Sequence, residues 1–440
     1  MNTRAVLTVV FLGIFLPTSN TSAEDIVGSK LDCVEQKAGE SDFTCLNTAL
    51  MSKIDLNDKG LSARSGNDIW GWTDPVTGRE FAIMGMNSKT SFVDVSDPVN
   101  PVHIGDLKTH TFSSSWRDMK VYNDHAFIVS EAFNHGLQVF DLKQLRELSG
   151  KSLPITYNES AFYGEFGSAH NIFIHEDVGM AYVVGSNTCD QGMHVVDVRK
   201  PLDPTFVTCI DRDIFDPPEE SSGEALSSSI LNSFDLFSLS SPPFFHGEDY
   251  THDVQCVIYE GPDANYLERE ICIASNADSI NIVDMTDKAN PVQVSVIDYP
   301  GLGYTHQGWL SEDQHYFFLG DELDESRFDH KTKTLVFDMS SLDNPTPHFN
   351  YEAETFAIDH NMYVRGDFLF QANYDAGLRI LDISRVAEKV IREVAFFDIL
   401  PNSDRASFRG AWSVYPFFKS GNIILSAIEG DLFVLQPSLK

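Results

Sequence analysis

Four histidines recur at one position of successive sequence units and have the side chains best suited to metal chemistry. They lie in the tripeptides Ala169-His170-Asn171, Thr251-His252-Asp253, Thr305-His306-Gln307 and Asp359-His360-Asn361. Neutral imidazoles favour zinc, copper or iron, and nearby carboxylates complete such sites or orient the rings. If the units arrange these positions around one axis, the histidines form a candidate metal site there.

The residues alone leave other interpretations of this pattern open. Each imidazole could donate a hydrogen bond to the neighbouring unit and hold the units together. The histidines could instead contact an organic ligand, or their common register could reflect repeat ancestry rather than use.

Further polar residues are expected beside the histidines. Arg117 and Asp118 occupy the equivalent point of another unit, and the other candidates follow or end the strand that returns antiparallel to each histidine-bearing strand. Because the start of one strand and the end of the next share a face, the candidate ligand-binding residues are Arg117, Asp118, Glu131, Asn187, Asn276, Glu322 and Asn373.

Other chemistry is less well supported by the residues. The sequence has no Gly-x-Ser-x-Gly elbow, phosphate loop, His-Glu-x-x-His or Cys-x-x-Cys motif, so no catalytic residue is assigned. The acidic run Asp321-Glu322-Leu323-Asp324-Glu325 has oxygens that suit calcium. It lacks EF-hand spacing and glycine, so a solvated charged loop is the expected structure.

The repeat is marked by an apolar strand that ends in aspartate. The six markers are separated by 47, 56, 87, 54 and 44 residues, and they are Asp94, Asp141, Asp197, Asp284, Asp338 and Asp382. We expect these carboxylates to accept backbone N–H bonds in the turns that follow. A period near 50 with four short strands per unit is typical of a β-propeller.

The predicted fold is all-β: a seven-bladed β-propeller of four-stranded antiparallel blades. The last unit stops after the strand at residues 431–435 and lacks a fourth strand. Residues 51–56 could supply it, which would close the ring and leave no open sheet edge.

The chain divides into a signal peptide at 1–23, an N-terminal segment at 24–66 and the propeller at 67–440. Arg4, an apolar run at residues 5–16 and the small residues 21–23 have the pattern of a cleaved export signal. The propeller contains a low-complexity insertion at 211–249, expected as a solvated loop, with a lid as the alternative. We therefore expect a secreted, extracellular protein, or a periplasmic one in a bacterium, with no membrane span in the mature chain.

Six cysteines suit an oxidising compartment. If His252 lies opposite Asn276, opposed residue numbers sum to 528, which places Cys256 opposite Cys272. Cys189, in the loop after a second strand, lies near Cys209 at the end of the fourth strand of the same blade. Cys33 and Cys45 remain as an N-terminal pair. Asn158 begins a glycosylation sequon, which would be used only in a eukaryote.

Composition narrows the possible partners. The 440 residues include 31 Lys and Arg against 65 Asp and Glu, a net charge of −34. This charge disfavours nucleic acid and anionic membrane surfaces, whereas cations, proteins and small molecules remain open.

Several segments carry a family resemblance. Residues 67–72, 90–94, 114–122, 129–131 and 135–141, above all Ser114-Ser115-Trp116-Arg117-Asp118, resemble the LVIVD-repeat, choice-of-anchor B family. The resemblance implies exported β-propellers, often attached to a surface by variable C-terminal anchors, and implies no agreed reaction. The residues up to Lys440 contain no anchor pattern, so we expect an unanchored form.

Together these patterns predict an exported propeller that binds an unknown protein or small-molecule ligand at a histidine-lined channel mouth, rather than an enzyme. One alternative is a metal-dependent oxidoreductase or hydrolase that uses the four histidines. Another is a structural surface protein with an acidic shell. The cofactor, if any, is expected to be zinc, copper, iron or calcium.

Overall fold

The computed structural model describes residues 24–57, 66–211 and 250–439. The predicted signal peptide at 1–23 and all of the predicted insertion after Asp211 lie outside these ranges. Helical structure in the described ranges is limited to α1 (Asp324–Phe328) and 3-10 turns at Leu142–Arg146, Cys189–Gln191, Tyr374–Ala376 and Val386–Glu388. Within those ranges, no helix has the length and apolar character needed to cross a membrane.

The N-terminal segment consists of short strands. These are β1 (Cys33–Val34), β2 (Lys37–Ala38), β3 (Thr44–Leu46) and the longer β4 (Thr48–Asp55).

Six sheets each contain four antiparallel strands from one stretch of chain. The first contains β5 (Gly66–Thr73), β6 (Glu80–Met86), β7 (Lys89–Asp94) and β8 (Val102–Lys108). The second contains β9 (Arg117–Tyr122), β10 (His125–Ser130), β11 (Leu137–Asp141) and β13 (Ala161–Tyr163). Between β11 and β13, the short strand β12 (Ile155–Tyr157) pairs in parallel with β8 of the first sheet. The third contains β14 (Asn171–His175), β15 (Met180–Val184), β16 (Met193–Asp197) and β17 (Thr205–Ile210).

The next three sheets have the same order. The fourth contains β18 (Thr251–Ile258), β19 (Glu270–Asn276), β20 (Ser279–Asp284) and β21 (Val292–Ile297). The fifth contains β22 (Thr305–Leu310), β23 (Tyr316–Asp321), β24 (Lys333–Asp338) and β25 (Thr346–Glu352). The sixth contains β26 (Met362–Arg365), β27 (Phe368–Asn373), β28 (Gly377–Arg385) and β29 (Val390–Asp398), and β3 adds to its outer edge.

A further sheet is a composite of both ends of the chain. It joins β30 (Ala411–Tyr415), β31 (Ile423–Ala427) and β32 (Asp431–Pro437) to β4, with Leu432 opposite Ile54.

Apolar side chains fill the spaces between neighbouring sheets. One such core joins Ile273 and Ile282 of the fourth sheet to Phe317 and Leu335 of the fifth. Second strands such as β15 and β23 are buried throughout, whereas outer strands such as β25 are largely exposed. This packing of twisted sheets face to face is that of a β-propeller, so the predicted all-β propeller with four-stranded antiparallel blades is confirmed.

The marker aspartates have the predicted role in turns. In all six, Oδ1 accepts a bond of 2.9–3.1 Å from the backbone N–H two residues on. The carboxylates therefore fix the turn after the third strand of each unit.

All six cysteines form disulfides, in the predicted pairs Cys33–Cys45, Cys189–Cys209 and Cys256–Cys272. Cys256 lies directly opposite Cys272 on β18 and β19, as the register argument requires. The sequon residue Asn158 is exposed.

Candidate functional site

The first strands of the sheets meet around one axis, and this brings the four histidines together. Each first strand contacts the next in the series β5, β9, β14, β18, β22, β26 and β30. The four histidines lie at the starts of four consecutive members of this series, either within the strand or just before it.

A β-bulge shifts the register at two of the histidines. Thr251 pairs with Asn276 and Asp253 pairs with Ser275, which leaves His252 as the extra residue. The same shift at His306 lies between Thr305 and Gln307. The predicted pairing of His252 with Asn276 is therefore wrong by one residue, because a bulge puts two residues opposite one and re-aims the side chain.

The four imidazoles form a continuous arc. The ring centroids are 4.3 Å apart between His170 and His252, 4.1 Å between His252 and His306, and 4.4 Å between His306 and His360. Each of the four side chains belongs to a buried residue. They line one small cavity with Arg117 and Trp412, in which about 10 Å³ is accessible to the centre of a water molecule. This volume suits a single ion or water rather than an organic molecule.

Hydrogen bonds fix the orientation of three of the rings through Nδ1. This atom lies 2.6 Å from Oε1 of Glu131 in His170, 3.0 Å from the carbonyl oxygen of His306 in His252, and 2.5 Å from that of Trp412 in His360. All three partners are acceptors, so Nδ1 carries the proton and the lone pair is on Nε2. These bonds join neighbouring sheets, as the structural alternative expected, and they also prepare each ring to act as a ligand.

His306 differs from the other three histidines. Its Nδ1 is buried and has no hydrogen-bond partner among the described residues. Burial and then the neighbouring histidines lower the pKa of His306 well below its ordinary value, and burial lowers the pKa of His360 to about 3. Both rings are therefore neutral at pH 7, which is the form that binds metals.

Glu322 brings a carboxylate to this arc. Its Oε2 lies 3.8 Å from Nε2 of His306, and its Oε1 lies 3.6 Å from Nε2 of His360. Tyr374 donates a hydrogen bond of 2.7 Å to Oε1, while burial raises the pKa of Glu322 to about 7. His306, His360 and Glu322 each have one potential ligand atom, and these three atoms lie within 4.8 Å of one another.

Arg117 and Asp118 also bond other groups of the protein. Arg117 lines the cavity, but its guanidinium donates to the carbonyl oxygen of Met86 and to Nε2 of His135. Asp118 follows Arg117 on β9 and accepts from Lys120 Nζ at 2.6 Å and from the Ile172 N–H at 2.9 Å.

The three candidate amides have separate surroundings. Asn276 accepts from the Thr251 hydroxyl at 2.8 Å. Asn373 is buried and its amide has no partner among the described residues. Asn187 accepts from the Gly167 and Ser168 N–H groups and lines a different pocket with His110 and Phe162.

The sequence interpretation missed a layer of tyrosines. Tyr250 and Tyr304 each precede an arc histidine by two residues, and the Tyr304 hydroxyl donates to that of Tyr250 at 2.7 Å. The tripeptide Tyr-Thr-His is repeated at 250–252 and 304–306 and could have revealed them. Tyr374, which binds Glu322, has no equivalent signal.

The acidic run after β23 also differs from its expected structure. Asp321 and Asp324 are fully buried, and Glu325 is 2% exposed. The expectation of a solvated loop is wrong, because the chain turns inward here as α1. Asp321 accepts from the Tyr299 hydroxyl, and Asp324 pairs with Lys333 of β24.

Comparisons with known proteins identify the repeat and the fold. The LVIVD repeat model matches residues 360–389, which begin at the arc histidine His360 and contain β26, β27 and β28. The crystal structure of a protein from Lactobacillus plantarum, a β-propeller, is similar with a TM-score of 0.50 and 12% sequence identity, over 83% of this chain and 89% of that one. No curated protein matches the chain.

The protein is therefore a β-propeller that carries an LVIVD repeat. The predicted choice-of-anchor B assignment stays a prediction. At this identity the Lactobacillus plantarum structure indicates the fold alone.

Proposed function

We propose that this protein is an exported β-propeller that binds one transition-metal ion on its axis. His170, His252, His306 and His360 are the proposed donors, and Glu322 is the proposed carboxylate ligand. Glu131 is a positioning residue that orients His170. The role is binding, in line with the ligand site predicted at the channel mouth.

The observation that carries this proposal is the way in which the rings are held. Three of the four imidazoles are bonded through Nδ1 to a carboxylate or a backbone carbonyl. Ligating histidines are oriented by the same kind of bond, because it fixes the tautomer and directs Nε2 at the metal. The small cavity favours an ion over an organic ligand.

We further propose that the seven sheets are seven blades of one closed ring. Contact between β30 and β5 supports closure, as does the pairing of β4 with β32. A methyl group on Gly71 of β5 would lie 2.1 Å from Cε1 of Tyr415 on β30, so the first and last sheets approach very closely. An apolar core that contains Ile69, Ile424 and Met51 fills the space between them.

Export is proposed from the sequence pattern at 1–23 and from the three disulfides, which are typical of oxidising compartments. On this proposal the mature chain begins at Glu24 and the propeller at Asn67.

The test is metal analysis of tag-free protein beginning at Glu24, after incubation with zinc, copper or ferrous iron and removal of excess metal. We expect about one ion per chain for one of these metals. We expect the His306→Gln and His360→Gln variants to lose affinity by tenfold or more, because substitution of even the outer-shell partners of metal ligands costs about 10–100-fold. His315→Gln is the matched control, because His315 lies in the turn between β22 and β23 and bonds Ser340.

Thermal unfolding of each variant verifies that the fold survives. Absence of all three metals from the folded wild-type chain would contradict the proposal and leave the histidines as ties between blades. Equal binding by the wild type and both axial variants would also contradict it.

A further inference from the structure

A second group of potential ligands lies beside the axial site, between the fifth and sixth sheets. Asp324 and Glu325 are in α1, and Asp359 precedes β26. Their exposed fractions are 0%, 2% and 1%. The charge of Asp359 acts on Glu325, and the charge of Asp324 acts on Asp359, so these three buried carboxylates share one region. Each has His360 or Glu322 close by in sequence.

Few donors satisfy these three carboxylates. Both oxygens of Asp359 and Oε2 of Glu325 have no hydrogen-bond partner among the described residues. Glu325 Oε1 accepts from the Lys333 N–H at 3.2 Å, and Lys333 Nζ lies 2.5 Å from Asp324 Oδ2. A buried carboxylate without a partner is costly, which marks Asp359 as a group that lacks a ligand.

The charges in this region do not balance. Asp321 nearby is satisfied by the Tyr299 hydroxyl and by the Gly303 and Tyr304 N–H groups. Among the described residues, the other three carboxylates face one ammonium group, that of Lys333. When all three are ionised, they exceed this group by two negative charges, and the nearby charges of Asp321 and Glu322 act on Asp359 as well. A divalent cation would offset two of these charges.

We propose that Asp324, Glu325 and Asp359 bind a hard divalent cation, of which calcium is the type, at a site separate from the axial histidines. Carboxylate oxygens are the ligands that calcium prefers, and manganese also accepts an imidazole. Ligand atoms of Asp324, Glu325 and His330 lie within 4.8 Å of one another, so His330 stands at the edge of this site.

The competing explanation is a proton shared between carboxyl groups. Burial, and then the charge of Asp359, raises the pKa of Glu325 to about 11. A protonated Glu325 could donate to Asp359 without any metal. The two explanations differ in their response to added cation.

The test uses the tag-free chain from Glu24 after treatment with EDTA. Thermal unfolding and calorimetric titration are measured with calcium chloride, manganese chloride and magnesium chloride. We expect about one calcium or manganese ion per chain and a raised unfolding temperature. Asp359→Asn and Glu325→Gln should weaken binding by about tenfold or more, because each removes a charged ligand.

Asp329→Asn is the matched control. Asp329 lies in the same loop, is exposed and has a φ of 55°, which asparagine tolerates. This variant should bind calcium like the wild type. The His306→Gln variant should also bind calcium like the wild type, and the Glu325→Gln variant should bind transition metals like the wild type. Failure of the calcium site can therefore be distinguished from failure of the axial transition-metal site.

A wild-type chain that shows no response to millimolar calcium or manganese would overturn the cation site and favour the shared proton. Retained binding in both Asp359→Asn and Glu325→Gln would also overturn it. If either variant fails to fold, His330→Gln supplies a milder change, for which we expect a reduced affinity for manganese.

Discussion

At the scale of single residues, the hydrogen bonds of the arc histidines are compatible with two roles that the sequence presented as alternatives. His252 and His360 each bond a backbone carbonyl of the neighbouring sheet. The same bond ties two sheets together and fixes the proton on Nδ1. A hydrogen bond that ties two sheets together can therefore also orient the ring as a metal ligand. Measurement of bound metal distinguishes a ring that does both from one that only ties the sheets.

A histidine outside the arc gives a prediction on pH. His194 is 2% exposed, with Nε2 at 2.8 Å from the Tyr163 hydroxyl and Nδ1 at 3.0 Å from the Thr188 hydroxyl. Burial lowers its pKa to about 4, so between pH 6.5 and 4 the unfolded chain binds the proton more tightly. The contribution of His194 to the free energy of unfolding is therefore complete above pH 6.5 and is lost as the pH falls towards 4.

We expect His194→Gln to reduce the loss of unfolding free energy between pH 7 and pH 5 by about 1–2 kcal/mol. Glutamine can bond both hydroxyl groups and does not titrate. Denaturant unfolding of the wild type and the variant at several pH values is the measurement. An unchanged slope in His194→Gln would show that His194 does not contribute to acid unfolding.

At the scale of elements, the sequence predicted the units well because each unit has its own local signal. The strand that ends in aspartate predicts both the third strand and its turn, since the carboxylate bonds its own backbone two residues on. The bulge at His252 has no such signal, because an extra residue appears only when two strands are paired.

The turn after β24 supplies a prediction at this scale. Oδ1 of Asp338 accepts from the Ser340 N–H at 2.9 Å and from the Ser340 hydroxyl at 2.5 Å. We expect Asp338→Ala to lower the free energy of unfolding by about 1 kcal/mol, because the turn loses its acceptor. Asp338→Asn keeps an acceptor oxygen and should cost less than half as much in the same denaturant titration. Equal losses would indicate that the charge matters rather than the turn bond.

At the scale of the whole molecule, the repeat predicted the propeller class, but the surroundings of the cluster around Asp324 could not be read from it. Glu325 follows the second strand of the fifth sheet and Asp359 precedes the first strand of the sixth, so the two are 34 residues apart in the chain. The sequence gives no sign that the acidic run turns inward, because composition alone indicates a solvated loop. Their meeting depends on how two neighbouring blades pack, which no pattern within one blade shows.

Ring closure gives the last prediction. β4 pairs with β32, and Ala49 lies directly opposite Gln436. The Ala49→Cys/Gln436→Cys double variant should therefore form a fourth disulfide, because opposed residues of antiparallel strands are within bridging distance. Locking β4 to β32 should raise the free energy of unfolding by about 2–4 kcal/mol.

Ala49→Cys/Ser438→Cys is the control, since Ser438 bonds Asn47 and is out of register with Ala49. Thiol counting under non-reducing conditions reads the outcome. Equal cross-linking in both pairs would mean that β4 is not fixed in this register and that the ring is not stably closed. Cross-linking of the in-register pair alone supports one closed ring whose last blade is completed by the N-terminal strand.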